Sequence, residues 1–99
     1  MARVCKVFTV FDSKMQTYYD SFLSENKMTA LRSMSQSMSN PKSPFGLYPA
    51  DFTLFEIGEW DDQKGLYTMY DHKINLGCLI ELKALERDNG GLREVGDAP

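Results

Sequence analysis

An α+β fold is predicted for this chain: a small, mostly antiparallel sheet in the order β-α-β-β-β with one helix packed on a face. Three observations lead there. Val4–Phe11 places apolar groups on both sides of a pleat, Met28–Met38 repeats apolar residues near helical spacing, and Phe52–Asp71 reads as two strands about a turn. The 99 residues suit one small domain with a modest core.

Each element has a local reason. Val4, Cys5, Val7, Phe8, Val10 and Phe11 make the first strand an interior one, and Asp12-Ser13 ends it with short side chains that can bond nearby backbone. Lys14–Leu23 is ambiguous. Its Tyr18, Tyr19, Phe22 and Leu23 suit a short helix, an extended arm or a packed loop. Ser24-Glu25-Asn26 offers capping oxygens, after which Met28, Ala30, Leu31, Met34 and Met38 mark one helical face and Lys27, Arg32, Ser33 and Gln36 the other. The helix should stop by Asn40-Pro41, because proline disfavours helical geometry in the residue before it. Pro41–Pro49 is expected as a loop pinned to the core by Phe45, Leu47 and Tyr48.

Phe52–Trp60 is rich in aromatic and branched residues, Asp61-Asp62-Gln63-Lys64-Gly65 has turn composition, and Leu66–Asp71 is the hairpin partner, with His72 in a turn. Gly77–Lys83 alternates, with Leu76, Cys78, Ile80 and Leu82 on one face and Glu81 and Lys83 on the other, so a last strand buried on one side is expected. From Glu86 onward the chain is polar and glycine-rich. Residues 1–84 are therefore expected as the single domain and residues 85–99 as a disordered or partner-dependent tail.

No apolar run approaches the roughly 18–20 residues that cross a bilayer, and the N-terminus lacks the apolar core of a signal peptide, so a soluble intracellular protein is expected. Cys5 and Cys78 sit far apart in apolar segments and read as buried thiols of a reducing compartment. A single histidine, His72, excludes paired-histidine catalysis and histidine-rich metal sites. The acids Glu56, Glu59, Asp61, Asp62 and Asp71 lack the spacing and glycine of a calcium loop and read as a solvated hairpin edge. No phosphate-cradling glycine loop or nucleophile elbow occurs. No catalytic residue, metal ligand or cofactor is assigned, and Met28, Met34 and Met38 are read as core filling rather than a binding groove.

The net charge of −3 is unevenly spread: residues 1–50 carry +3 and residues 51–99 carry −6. One constellation suits nucleic acid. Arg3, Lys6, Lys14, Lys27 and Arg32 are interspersed with Tyr18, Tyr19 and Phe22, cations for phosphates near rings on which unpaired bases stack. The same residues also suit a solvated surface or a subunit contact. Tyr18 and Tyr19 cannot both point inward from one strand, so one is expected exposed.

At Phe11-Asp12-Ser13-Lys14, at Ala30-Leu31-Arg32 and above all at Pro49-Ala-Asp-Phe-Thr-Leu-Phe-Glu-Ile-Gly-Glu-Trp-Asp-Asp, the chain resembles the small nonstructural protein of gokushovirus-type microviruses. The likeness continues through Gly65, Tyr70-Asp71 and Ile74-Asn75-Leu76-Gly77, and so spans about residues 4–83. It implies a non-enzymatic protein of the host bacterial cytoplasm that binds DNA, with single strands as the expected ligand, and helps switch from double-stranded replication to single-stranded genome synthesis. Lys14 and Arg32 lie inside matched motifs and lead the candidate contacts; Lys27 lies outside them. Where relatives carry Pro-Pro before the aromatic pair, this chain has Tyr19-Asp20-Ser21-Phe22. The competing reading is a protein-interaction adaptor for the replication initiator, the procapsid or a host factor. Homo-oligomerisation is a further expectation for so small a sheet.

Overall fold

The computed structural model describes residues 4–83. Arg3 and the proposed tail at 85–99 lie outside those residues.

The sheet is antiparallel and built on two long central strands, β1 (Val4–Asp12) and β4 (Phe52–Asp61). Two short strands, β2 (Thr17–Tyr18) and β3 (Phe22–Ser24), pair with the outer edge of β1, and β5 (Leu66–Cys78) pairs with the outer edge of β4. The ambiguous segment after β1 is thus an extended arm. The arm carries its own backbone bonds, with Tyr19 donating to the Val10 carbonyl at 2.8 Å and the Thr9 hydroxyl to the Tyr19 carbonyl at 2.7 Å.

Two turns share one construction. Asp12 accepts from the Lys14 and Met15 amides at 2.9 and 3.2 Å, and Asp61 accepts from those of Gln63 and Lys64 at 2.9 and 3.1 Å. Each turn closes on a left-handed residue, Gln16 at φ 58° and Gly65 at φ 67°. Glycine takes that conformation freely, whereas Gln16 holds it against its own Cβ.

Helix α1 (Lys27–Met38) starts where the capping residues place it: Asn26 accepts from the Thr29 amide at 2.9 Å. Its buried stripe is Ala30, Leu31, Met34 and Met38, while Met28, expected in that stripe, is exposed at the first turn. Pro41–Pro49 is more ordered than a loop. It holds a short helix, α2 (Pro44–Leu47), capped by Ser43, and a 3₁₀ turn at Pro49–Asp51 follows. Only Phe45 of the three expected anchors packs against the core; Leu47 and Tyr48 are exposed. A Cβ on Gly46 would stand 2.4 Å from the Asn40 carbonyl oxygen, so only glycine lets α2 approach the end of α1 so closely.

The largest departure from expectation is at the C-terminal end of the described residues. The strand predicted over Gly77–Lys83 is absent: β5 runs through His72, which is therefore in a strand and not a turn, and residues 79–83 are helical. Among the described residues the order has two short strands before α1 and none after β5, in place of β-α-β-β-β. The cause is a helix start written into the segment. Gly77 turns the chain at φ 125°, and Glu81 reaches back to accept from the Cys78 amide at 3.3 Å, half of a capping box. Leu79 becomes fully buried and Leu82 packs on the core, while Ile80 is exposed.

The core lies between α1 and one face of the sheet and comprises Phe8, Val10, Ala30, Leu31, Met34, Met38, Phe52, Leu54 and Leu79. Opposed residues of paired strands share a face, so Val10 with Leu54, and Asp12 with Phe52, look toward α1. A register shift between Val7 and Phe8 changes the alternation, from buried Cys5 and Val7 to buried Phe8, Val10 and Asp12. Both cysteines are free; Cys5 is buried, and Cys78 is half-buried with its thiol 3.4 Å from the Ala50 carbonyl.

Candidate nucleic-acid interface

The two tyrosines of the extended arm point to opposite faces. Tyr19 leans on Phe45 and Phe52 at ring-centroid distances of 5.1 and 6.0 Å, at the rim of the core. Tyr18 lies opposite Phe11 in the ladder, and Phe55 lies opposite Thr9, which places all three rings on the face away from α1. Tyr18 sits 4.8 Å from Phe11 and 6.1 Å from Phe55 and remains 47% exposed. Above it stands the Lys73 ammonium, 5.4 Å from the ring centroid, in the range of a cation–π contact.

The remaining candidates divide around this group. Lys14 is exposed in the turn that leads into β2, a few residues from Tyr18. Lys27 and Arg32 are exposed on α1, across the sheet from Tyr18. Lys6 lies on β1 with its Nζ 2.6 Å from Glu59 on β4, an ion pair that satisfies the ammonium locally. The chain's basic and acidic halves are consequently not two sides of the molecule, because β1 of the one pairs along its length with β4 of the other.

Nor are all the hairpin acids simply solvated. Glu59 holds Lys6, Asp61 closes its turn, and Glu56 accepts from the Tyr70 hydroxyl at 2.5 Å. The bond to Glu59 raises the Lys6 pKa above its usual 10.5, and burial followed by the bond to Glu56 raises Tyr70 above 10.0. Both groups keep their protons longer in the folded than in the unfolded chain. The stability they add is therefore complete below about pH 10 and is lost as pH rises through the folded-state values. Each partly exposed contact contributes up to about 1 kcal/mol. In Tyr70→Phe the decline in urea midpoint between pH 9 and 11 should be shallower than in the wild type; an equal decline would remove Tyr70 from the account.

Sequence reasoning missed Lys73, Phe11 and Phe55 as site residues. Phe55 could have been found from its alternation with buried Leu54. Lys73 could not, since nothing in the sequence brings residue 73 to residue 18. Among the described residues, no three His, Cys, Asp or Glu side chains converge to hold a metal ion. None of their helices is long and apolar enough to cross a membrane.

No curated protein and no solved structure resembles the chain, but residues 5–82, from β1 to the helical segment after β5, match the family described as phage ORF5 protein. That span contains the sheet, α1, α2 and the Tyr18 group, and this chain is therefore a member of the phage ORF5 protein family.

Proposed function

We propose that this phage protein is a non-enzymatic DNA-binding protein of the gokushovirus-type microviruses, acting in the host bacterial cytoplasm during the switch from double-stranded replication to single-stranded genome synthesis. The observation that carries the reading is the half-exposed Tyr18 ring, backed by Phe11 and Phe55 and topped by the Lys73 ammonium. When Lys73 moves off the ring, the face it covers can stack a base, worth about 1–3 kcal/mol, and the displaced ammonium takes the neighbouring phosphate. Stacking needs unpaired bases, so the ligand is single-stranded DNA. Lys14 extends the cationic path along the strand; Lys27 and Arg32 on α1 lie outside it.

Fluorescence polarisation with single- and double-stranded oligonucleotides over a salt series tests this. The single strand should bind more tightly and lose affinity as salt rises; Tyr18→Ala should weaken it by about 5- to 100-fold. Lys14→Ala should flatten the salt slope, and Arg32→Ala should leave it unchanged. Absence of binding at low salt, or full affinity in Tyr18→Ala, would end the proposal.

A second reading, a protein-interaction adaptor for the replication initiator, procapsid or a host factor, is favoured by exposed Leu66, Tyr67, Met69 and Ile74 on β5. Co-purification from infected cells separates the two: an association that survives nuclease favours the adaptor, and one that nuclease abolishes favours DNA.

A further inference from the structure

We infer that β5 pairs antiparallel with β5 of a second copy of this chain, about a two-fold axis at His72. β5 is the outermost strand, and its 13 residues include exposed Leu66, Tyr67, Met69 and Ile74. A long edge strand with exposed apolar side chains is a template for another strand, because among the described residues its outward N–H and C=O groups have no partner in the sheet. Between Gly58↔Met69 and Glu56↔Ile74 the β4–β5 register shifts, and Tyr70, Asp71, His72 and Lys73 form a bulge with no opposed residue on β4.

The charges in that bulge identify the occupant. Asp71 and Lys73 flank His72 symmetrically, and once the bulge is drawn straight against a partner strand, residues two apart fall on one face. With the axis at His72, Asp71 meets the partner's Lys73 and Lys73 meets the partner's Asp71, giving two cross-strand ion pairs from one repeat of the contact. Tyr70 then meets the partner's Ile74, an aromatic against a β-branched side chain, a favourable cross-strand pair. A segment whose opposite charges are arranged evenly about its midpoint is complementary to itself. A slip of one residue turns every side chain to the wrong face and removes both ion pairs. In the single chain Lys73 rests over Tyr18; in the dimer its ammonium turns to the partner's carboxylate. This inference does not rest on the DNA reading, but the two compete for the Lys73 ammonium, which the dimer takes from Tyr18.

Sedimentation velocity over a concentration series tests it, with circular dichroism confirming that each variant is folded. The wild type should move from one to two chains as concentration rises. Asp71→Lys and Lys73→Asp set like charges in opposition at both sites, and each should raise the dimer dissociation constant roughly tenfold or more. Mixing the two variants restores opposite charges at both sites and should restore the dimer, as should the double variant D71K/K73D. A wild type that stays a single chain throughout, single variants that associate like the wild type, or a mixture that fails to recover would each overturn the inference.

Discussion

Replacing Phe8 with alanine is expected to lower the stability of the domain by about 3–5 kcal/mol. Phe8 has no exposed surface, stacks on Phe22 at 5.7 Å between ring centroids, and lies among the core side chains of α1, β1 and β4. It also follows immediately on the register shift between Val7 and Phe8. Neighbours held by two paired strands have little freedom to close the cavity, so the loss combines the transfer energy of the ring with unfilled volume. A small domain has about 5–15 kcal/mol in all, which leaves the variant near its folding threshold. Urea denaturation should show a much lower midpoint at an unchanged slope. A midpoint close to that of the wild type would mean that Phe8 is not at the centre of the core.

Leu79→Ala should cost about 2–5 kcal/mol, whereas Ile80→Ala should change stability by no more than about 0.5 kcal/mol. The contrast tests the helical reading of residues 79–83 directly. In that segment Leu79 is wholly buried under the core and Ile80 is 46% exposed. A strand of the predicted alternation would bury Ile80 with Cys78 and Leu82 and turn Leu79 outward, which reverses the order of the two losses. The same denaturation measurement on both variants decides it.

Much of the frame is legible in the sequence because its signals are local. The apolar composition of β1 marks an interior strand, Asn26 marks the start of α1, and Asp61 through Gly65 marks the hairpin turn. Legibility ends where one pattern fits two periods. Leu76, Cys78, Ile80 and Leu82 alternate like a strand, yet Leu79 and Leu82 are also three apart, and the positive φ of Gly77 with the Glu81 cap selects the helix. Met28 and Leu47 show the complementary limit: apolar residues at suitable spacing remain exposed when no other element covers their turn.

The candidate site was less legible than the fold. Tyr18 and Lys14 are visible as a ring and a cation near each other in sequence, and the structure keeps them on adjoining parts of the arm. Lys6, read as a phosphate contact, is held by Glu59 from the other half of the chain. The overall charge split between halves loses its spatial meaning for the same reason.

The sequence by itself determined the two central strands, the capped helix, the hairpin turn and, through residues 5–82, the family. Those are consequences of side-chain periodicity and of caps that act over a few residues. Only the tertiary structure decided which face each residue takes, how Lys73 comes to stand over Tyr18, and why Leu79 is core and Ile80 surface. Each of these depends on strand register, and a shift of one residue in a ladder joining distant segments moves every later side chain to the opposite face.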